Sequence, residues 1–533
     1  MKMRVIILVE PPLRAAVLGK LARHEAAVAD LEAALVCGYP PGLRYKAHQR
    51  LAVAHTALGD PDTARRAYRQ LLDSLAVADL PPDKVKKMKN SCMQTLKNLQ
   101  LAAKVESAPS EVLDTSNSSF LDKIRVESTA GRGRFSVARV PIPAGSVVVA
   151  DTACLVSVSP RLRATHCAVC GRDAVAPLPC PACRHVCFCS RACRHVGVAA
   201  HARQCRIAGW VGRGLSQEAA TLAMPLLAAL DLTLQQGLAH HLDTFSRWKM
   251  DPEESTEETT SFTKVLNMVK HFSVIDIKQH FAAAVFITML LKHLDYLPAS
   301  ATKEQEAGLA GVVSHYLAAV KSNLHTVSQL EAAEGAGLVM RPVGVAMFPQ
   351  VALHLNHSCN PNTFVLDTAG GRQVTVAARD IAAGEEVTQI YLGHFGDTAR
   401  PRRQQLLSSK YNFVCGCEAC EHDFPSADQC LEMCKTFAET PASGLKRPMT
   451  SEDLAVLDMK NDVLRMQVEL ALGNGAVGAA VELTLERMKL ICDHLKEPHI
   501  LYLMGRLSLV NYMWFLHANK SRWFKKQKLP TYF

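Results

Sequence analysis

The chain has 533 residues, 48% hydrophobic and 21% charged, with a formal net charge of +10. That length exceeds what one hydrophobic core fills, so two to four domains are expected, and the composition is that of a globular protein. The charge is modest for the length: it suits a neutral-to-acidic partner and lacks the steep basic excess of a nucleic-acid binder.

No window supplies the roughly 18 apolar residues that a membrane-spanning helix requires. The longest apolar run, FAAAVFITMLL (281–291), ends at Lys292 and reads as a buried helix. The basic start MKMRVIILVE meets Pro11 and Pro12 after a short apolar run with no small-residue cleavage site, unlike a secretory signal. A reducing compartment is therefore expected. There, closely spaced members of a set of 18 cysteines point to metal rather than to disulfides.

Residues 20–105 read as helices, with Ala27, Leu31 and Ala34 in one unit matched by Ala64, Tyr68 and Leu71 in the next. The offset of 37 is near the tetratricopeptide period of about 34 residues, and the turn Gly59-Asp60-Pro61 separates two of the helices. A Ser-rich linker (107–120) follows. The pattern then changes to short β-type runs, IRVEST, RFSVARV and SVVVADTACLVSV, punctuated by Gly131, Gly133 and the turn PIPAG (141–145). Cysteines interrupt from 167 to 205, and helical patterns fill about 207–335, including the acidic stretch DPEESTEETTSFTK (251–264), read as a solvated loop. Strand patterns return from 343 to 391, and the remainder is helical. There, Ser451 is the expected cap before EDLAVLDMKNDVLRMQVELAL, and Gly473-Asn474-Gly475 the expected stop.

The first cysteine cluster contains Cys167, Cys170, Cys180, Cys183, Cys189, Cys193, His201 and Cys205, with Cys187 outside the spacing. Pairs separated by two or three residues can reach one tetrahedral ion from a tight or helical turn, so eight ligands make two closed zinc sites. The spacing leaves the pairing of the pairs open. Eight arginines and one acid, Asp173, lie between 161 and 206, giving +7. Seven thiolates against two dications contribute −3, so much of this excess balances the metal centres. Phe188 is the one aromatic residue there, too few for base stacking. Downstream, Cys415, Cys417 and Cys420 are one ligand short of a tetrahedral site, and Cys359 within NHSCNPN (356–362) is the nearest unassigned cysteine in β-type sequence. Cys430 and Cys434 have no further ligands in the pattern and read as structural; His271 and His354 have no partner pattern.

In order, the turn GRG (131–133), NHSCNPN, GEEVTQIY (384–391) and a closing CxCxxC resemble the signatures of a SET domain with its post-SET zinc site, and the interrupting module is similar to a MYND zinc finger. Over 120–422 the chain thus resembles the SET and MYND domain family of protein lysine methyltransferases. The N-terminal helices and VKSNLHTVSQLE (320–331) point to one branch of it. The resemblance implies an α+β fold: a β-rich SET domain split by a MYND finger and a helical insert, flanked by α-helical tetratricopeptide-like regions. The implied boundaries are 1–106 tetratricopeptide-like, 107–120 linker, 121–160 SET N-terminal part, 161–206 MYND, 207–335 helical insert, 336–395 SET core, 396–422 post-SET and 423–533 C-terminal helices.

The resemblance further implies S-adenosylmethionine as cofactor, contacted by Gly131, Arg132, Gly133, Asn323, Asn356, His357, Tyr391 and Phe413, with Tyr391 and Tyr411 as catalytic residues. It joins Cys167, Cys170, Cys189 and Cys193 on one zinc, and Cys180, Cys183, His201 and Cys205 on a second. Cys359, Cys415, Cys417 and Cys420 hold a third, making three structural zinc ions. The expected partners are a lysine-bearing protein substrate, histone or non-histone, and proline-containing peptides at the MYND finger, in cytoplasm and nucleus, without nucleic acid or membrane. A non-catalytic adaptor is the rival reading, and cofactor binding without methyl transfer would favour it. The approach PQVALHLN (349–356) is one residue longer than the family's usual run, and the closing SRWFKKQKLPTYF is unlike a helix end. On this reading Cys359→Ser costs zinc and cofactor together, whereas His357→Ala spares the metal.

Overall fold

A computed structural model describes residues 13–20, 24–36, 38–57, 61–105, 120–129, 133–174, 177–202, 204–205, 226–234, 268, 277–293, 295–297, 299–333, 337–349, 354–368 and 370–520. The acidic stretch 251–264, His271 and the closing segment 521–533 lie outside them, as does most of the Ser-rich linker. Chain contacts divide the protein into two compact units, Met1–Glu111 and Val112–Phe533.

The first unit is helical: α1 (His24–Val36), α2 (Arg44–Ala57), α3 (Pro61–Ser74) and α4 (Pro82–Val105), each packed on the next. Alanines at the contacts let the backbones approach. Ala27, Leu31 and Ala34 are buried with Ala47, Leu51 and Ala52, and the matched set Ala64, Tyr68 and Leu71 is buried as well. Pro61 opens α3, where its missing N–H costs nothing and its fixed φ favours the helix.

In the second unit, the early and late strands of the chain fold together. The hairpin β1 (Ile124–Thr129) and β2 (Gly133–Ala138) is followed by β3 (Val147–Thr152) and β4 (Leu155–Val158), which enter different sheets. β3 pairs with β11 (Arg372–Ala377), itself paired with β10 (Thr363–Thr368), while β4 pairs with β8 (Gly337–Met347). About 180 residues therefore separate the partners β4 and β8 in sequence. Between them lie the small hairpin β5 (Leu178–Pro179) and β6 (Cys187–Phe188), helix α5 (Arg191–Ala202), α6 (Ile277–His293) and α7 (Lys303–Asn323). Thr302 and Gln305 cap α7 reciprocally, satisfying its first free N–H groups.

Two expectations for this insert need correction. Helix does not continue to 335: β7 (His325–Ala333) pairs antiparallel with β8 along its whole length, and β8 begins at Gly337 rather than near 343. The helix formers in LEAAEG suggested α, but β-branched Thr326 and Val327 and nine residues of cross-strand pairing outweigh local propensity. Pro342, which has no N–H to donate, faces Ser328 at the irregularity in that ladder. Second, the apolar run 281–291 buries one face only. Ala284, Ile287 and Leu291 are inside, whereas Phe281, Phe286 and Met289 are 69%, 55% and 65% exposed. No helix among the described residues is long and apolar enough to cross a membrane.

The short strands β9 (Asn356–His357) and β12 (Thr388–Gln389) pair in parallel, and the 384–387 segment bonds to β2 through Val387 N–Ser136 O (2.8 Å) and Ala138 N–Glu385 O (2.9 Å). Beyond them come α8 (Arg400–Tyr411) and three helices packed in succession, α9 (Ser451–Gly473), α10 (Val477–His494) and α11 (Ile500–His517). The cap of α9 is Thr450, one residue before the expected Ser451, because Asp453 returns the bond to Thr450 at the required spacing of three. α11 docks on β10, where Trp514 Nε1 donates to Val365 O at 3.0 Å.

Candidate active site and metal centres

Three groups of four thiol or imidazole donors converge, each with its ligand atoms within 4.8 Å of one another. They are Cys167, Cys170, Cys189 and Cys193; Cys180, Cys183, His201 and Cys205; and Cys359, Cys415, Cys417 and Cys420. The fold thus settles the grouping that spacing left open. In the first two, β6 and α5 bring ligands to those of the preceding turns: Cys170 Sγ and Cys189 Sγ are 3.6 Å apart, as are Cys180 Sγ and Cys205 Sγ. Cys187 stays out of both groups, its Sγ donating to His166 O at 3.4 Å. In the third, Cys359 Sγ and Cys420 Sγ are 3.5 Å apart across 61 residues of sequence. Cys434 lies instead 3.3 Å from His499 Nε2, away from any four-donor group, and His354 O accepts from Ser136 Oγ at 2.9 Å.

A cavity of about 1600 Å³ lies beside the third group. Its lining includes Gly133, Asn323, Asn356, His357, Tyr391, Tyr411 and Phe413, which are all the non-metal site residues expected from the sequence that fall among the described residues. Gly131 and Arg132 lie outside them. Gly133 starts β2 with φ 66°, and open space lies where a Cβ would project. Asn356 Nδ2 donates to Arg134 O at 3.1 Å and so ties β9 to the start of β2. At the end of α7, Asn323 Nδ2 turns back to Ala319 O at 2.8 Å.

The aromatic groups form a continuous wall. Tyr391 and Tyr411 have ring centroids 5.0 Å apart, with His357 5.4 Å from Tyr391 and 6.1 Å from Phe413. Tyr391 Oη donates to Leu355 O at 2.7 Å, and burial followed by the neighbouring Tyr411 pushes its phenol well above the usual range. It stays protonated at neutral pH. Burial pushes the His357 imidazole down to about 4, so its ring is neutral. The Tyr391 backbone N–H can only donate, and it reaches His357 Nδ1 at 2.9 Å. The ring proton is therefore on Nε2, which faces Cys359 Sγ at 3.3 Å. The His357 ring therefore contacts the third group on one side and the Tyr391 backbone on the other, a link that bears on the expected independence of His357 from that group.

Sequence reasoning missed three contributors. Asn362, inside the quoted motif, is 2% exposed and locks it to the later strand by accepting from Thr388 N (2.9 Å) and donating to Glu386 O (2.8 Å). Arg403 on α8 is buried against Cys420. Helix α11 supplies Arg506 and Trp514 to the cavity wall, and Arg506 Nη1 reaches Asn360 Oδ1 at 3.4 Å. Only Asn362 carried a signal, as a second asparagine two residues after Asn360 in a Pro-containing turn.

A family model for the SET domain matches residues 133–392. That span, just under half of the chain, is similar to a SET domain. The matched span includes β2 and β7 to β12, each of which supplies residues to the cavity lining. The chain is similar to Protein-lysine N-methyltransferase SMYD4 of Mus musculus, 25% identical over 497 residues, covering 76% of this chain and 61% of that protein. With the SMYD4 of Danio rerio it is 22% identical over 391 residues, 59% of this chain and 52% of the relative. A shorter match, 44% over 73 residues, covers 13% of this chain and 15% of Histone-lysine N-methyltransferase SET5 of Scheffersomyces stipitis. The resemblance to SET and MYND methyltransferases drawn from the sequence motifs is borne out, and the longer matches fall in the SMYD4 branch. The chain spans 52% to 61% of the length of the SMYD4 relatives it matches.

Proposed function

We propose that the chain is a protein-lysine N-methyltransferase, moving a methyl group from S-adenosylmethionine to a lysine side chain of a protein substrate, histone or non-histone. The observation that carries this reading is the convergence of Asn356, His357, Tyr391, Tyr411 and Phe413 on one cavity of a SET domain. Bound S-adenosylmethionine would supply an activated methyl group on a positively charged sulfonium. The residues fit such a ligand: open space beside the Gly133 backbone, polar groups at Asn323 and Asn356, and an aromatic wall suited to a cation.

In-line methyl transfer asks the protein to align two reactants and to admit a neutral amine. Tyr391 and Tyr411 enclose a channel whose low polarity, beside positive charge, favours the neutral form of an entering lysine. Because the Tyr391 hydroxyl spends its proton on Leu355 O, its oxygen is left as an acceptor that can orient the amine. His357 is no general base, since both of its nitrogens are engaged.

The three four-donor groups fit structural zinc. A tetrahedral ion with bonds of about 2.3 Å spans sulfurs about 3.8 Å apart, with no position left for a reacting water. Within each group, sulfurs 3.5 or 3.6 Å apart are close to that span. In this reading the first two groups form a MYND finger that takes proline-containing peptides, the first unit is tetratricopeptide-like, and the protein works in cytoplasm and nucleus. Calorimetric titration with S-adenosylmethionine tests the proposal: wild type should bind and Asn356→Ala should bind at least tenfold more weakly, while a wild type that does not bind sinks it.

A further inference from the structure

Arg403 is 1% exposed, among the most buried large side chains of the protein, yet no carboxylate pairs with it among the described residues. Its Nη1 donates to Thr398 O (2.5 Å), and Nη2 to Ala419 O (3.4 Å) and Cys420 Sγ (3.7 Å); Nε is buried without a partner. A permanently charged guanidinium held this way is costly unless an opposite charge lies nearby. The neighbouring charge is the third cysteine group, since four thiolates around a dication carry a net −2.

We propose that Arg403 is the counter-ion of the third metal centre, and that this pairing fixes α8, and with it Tyr411, to the metal. A second clamp on the same helix supports the geometry: Gln404 donates from Nε2 to Cys415 O (2.7 Å) and accepts from Cys415 N at Oε1 (2.9 Å). Metal loss dissolves the fixed cluster of sulfurs that the guanidinium packs against, so α8 loosens when the ion leaves. Arg403 touches no reacting atom; it is a positioning residue. The inference rests on reading Cys359, Cys415, Cys417 and Cys420 as a metal centre, and not on methyl transfer.

The test counts zinc and times its release to a chromogenic chelator, without cofactor. Wild type should hold three equivalents. Arg403→Met should keep two with unchanged release and lose the third at least roughly tenfold faster, the usual scale for a group that bonds a metal ligand. Arg403→Lys, which keeps the charge, should recover most of that loss. Three equivalents with wild-type release in Arg403→Met overturns the proposal, and a Lys variant as leaky as Met overturns the counter-ion role in favour of mere packing. Should Arg403→Met prove insoluble, Arg403→Lys decides alone: release within about threefold of wild type supports the proposal, and a tenfold or larger acceleration overturns it. A wild type holding only two equivalents removes the metal centre itself, and would leave the methyltransferase reading to be judged on cofactor binding.

Discussion

His357 joins two kinds of chemistry in one side chain. Its Nδ1 holds the Tyr391 backbone and its Nε2 faces the Cys359 sulfur, so His357→Ala should weaken metal at the third centre by about 10–100-fold as well as loosen the cavity wall. Chelator competition checks this, and unchanged metal affinity in the variant would return His357 to a pure pocket role. Tyr391→Phe removes the hydroxyl that bonds Leu355 O while keeping the ring beside Tyr411. Methyl transfer should fall by about 100-fold or more with cofactor affinity changed little, a split that single-turnover rates and calorimetry resolve together. Much at this scale was legible in the sequence, because ligand spacing and the NHSCNPN motif are local. Arg403 was not: nothing nearby in sequence marks a helical arginine whose partner sulfur sits 17 residues on.

Among the elements, β4 and β8 are the most sensitive joint. A Cβ on Gly344 would stand 2.4 Å from Ser157 O and 3.0 Å from Val158 Cα, both backbone atoms that cannot give way cheaply. Gly344→Ala should destabilise the second unit by about 1–3 kcal/mol, read from denaturant unfolding. Thr450→Ala removes the reciprocal cap of α9 and should cost about 1 kcal/mol, with little effect on metal content. The start of α9 to within one residue, its Gly-rich stop and the β1–β2 hairpin were readable from capping residues and glycines. The β7 strand was not, since its helix-forming alanines and glutamate are overruled by a partner strand the sequence does not announce. Likewise, the half-exposed α6 read as buried because an apolar run carries no sign of which face meets the core.

At the scale of the whole second unit, burial leaves several imidazoles neutral far below their ordinary 6.5. Burial is the main cause in each case, pushing His325 and His499 down to about 4 and His394 to about 3. Between those values and 6.5 the unfolded chain binds more protons than the folded one, so stability is complete above about pH 6.5 and is lost as pH falls toward 4. Calorimetric Tm should drop by about 5 °C or more from pH 7 to 4.5, and His499→Gln should flatten that dependence; a Tm that does not move would contradict it. Three-dimensional closure was the least legible feature: α11 lies over 100 residues beyond β12 yet its Arg506 and Trp514 wall the cavity. The measurement that bears most directly on the central claim is mass-spectrometric detection of methyl-lysine, after incubating a protein extract with isotope-labelled S-adenosylmethionine and either wild type or Tyr391→Phe. Labelled methyl-lysine formed by wild type and nearly abolished by the variant is the predicted result. Cofactor binding with no label transferred by wild type would contradict the account.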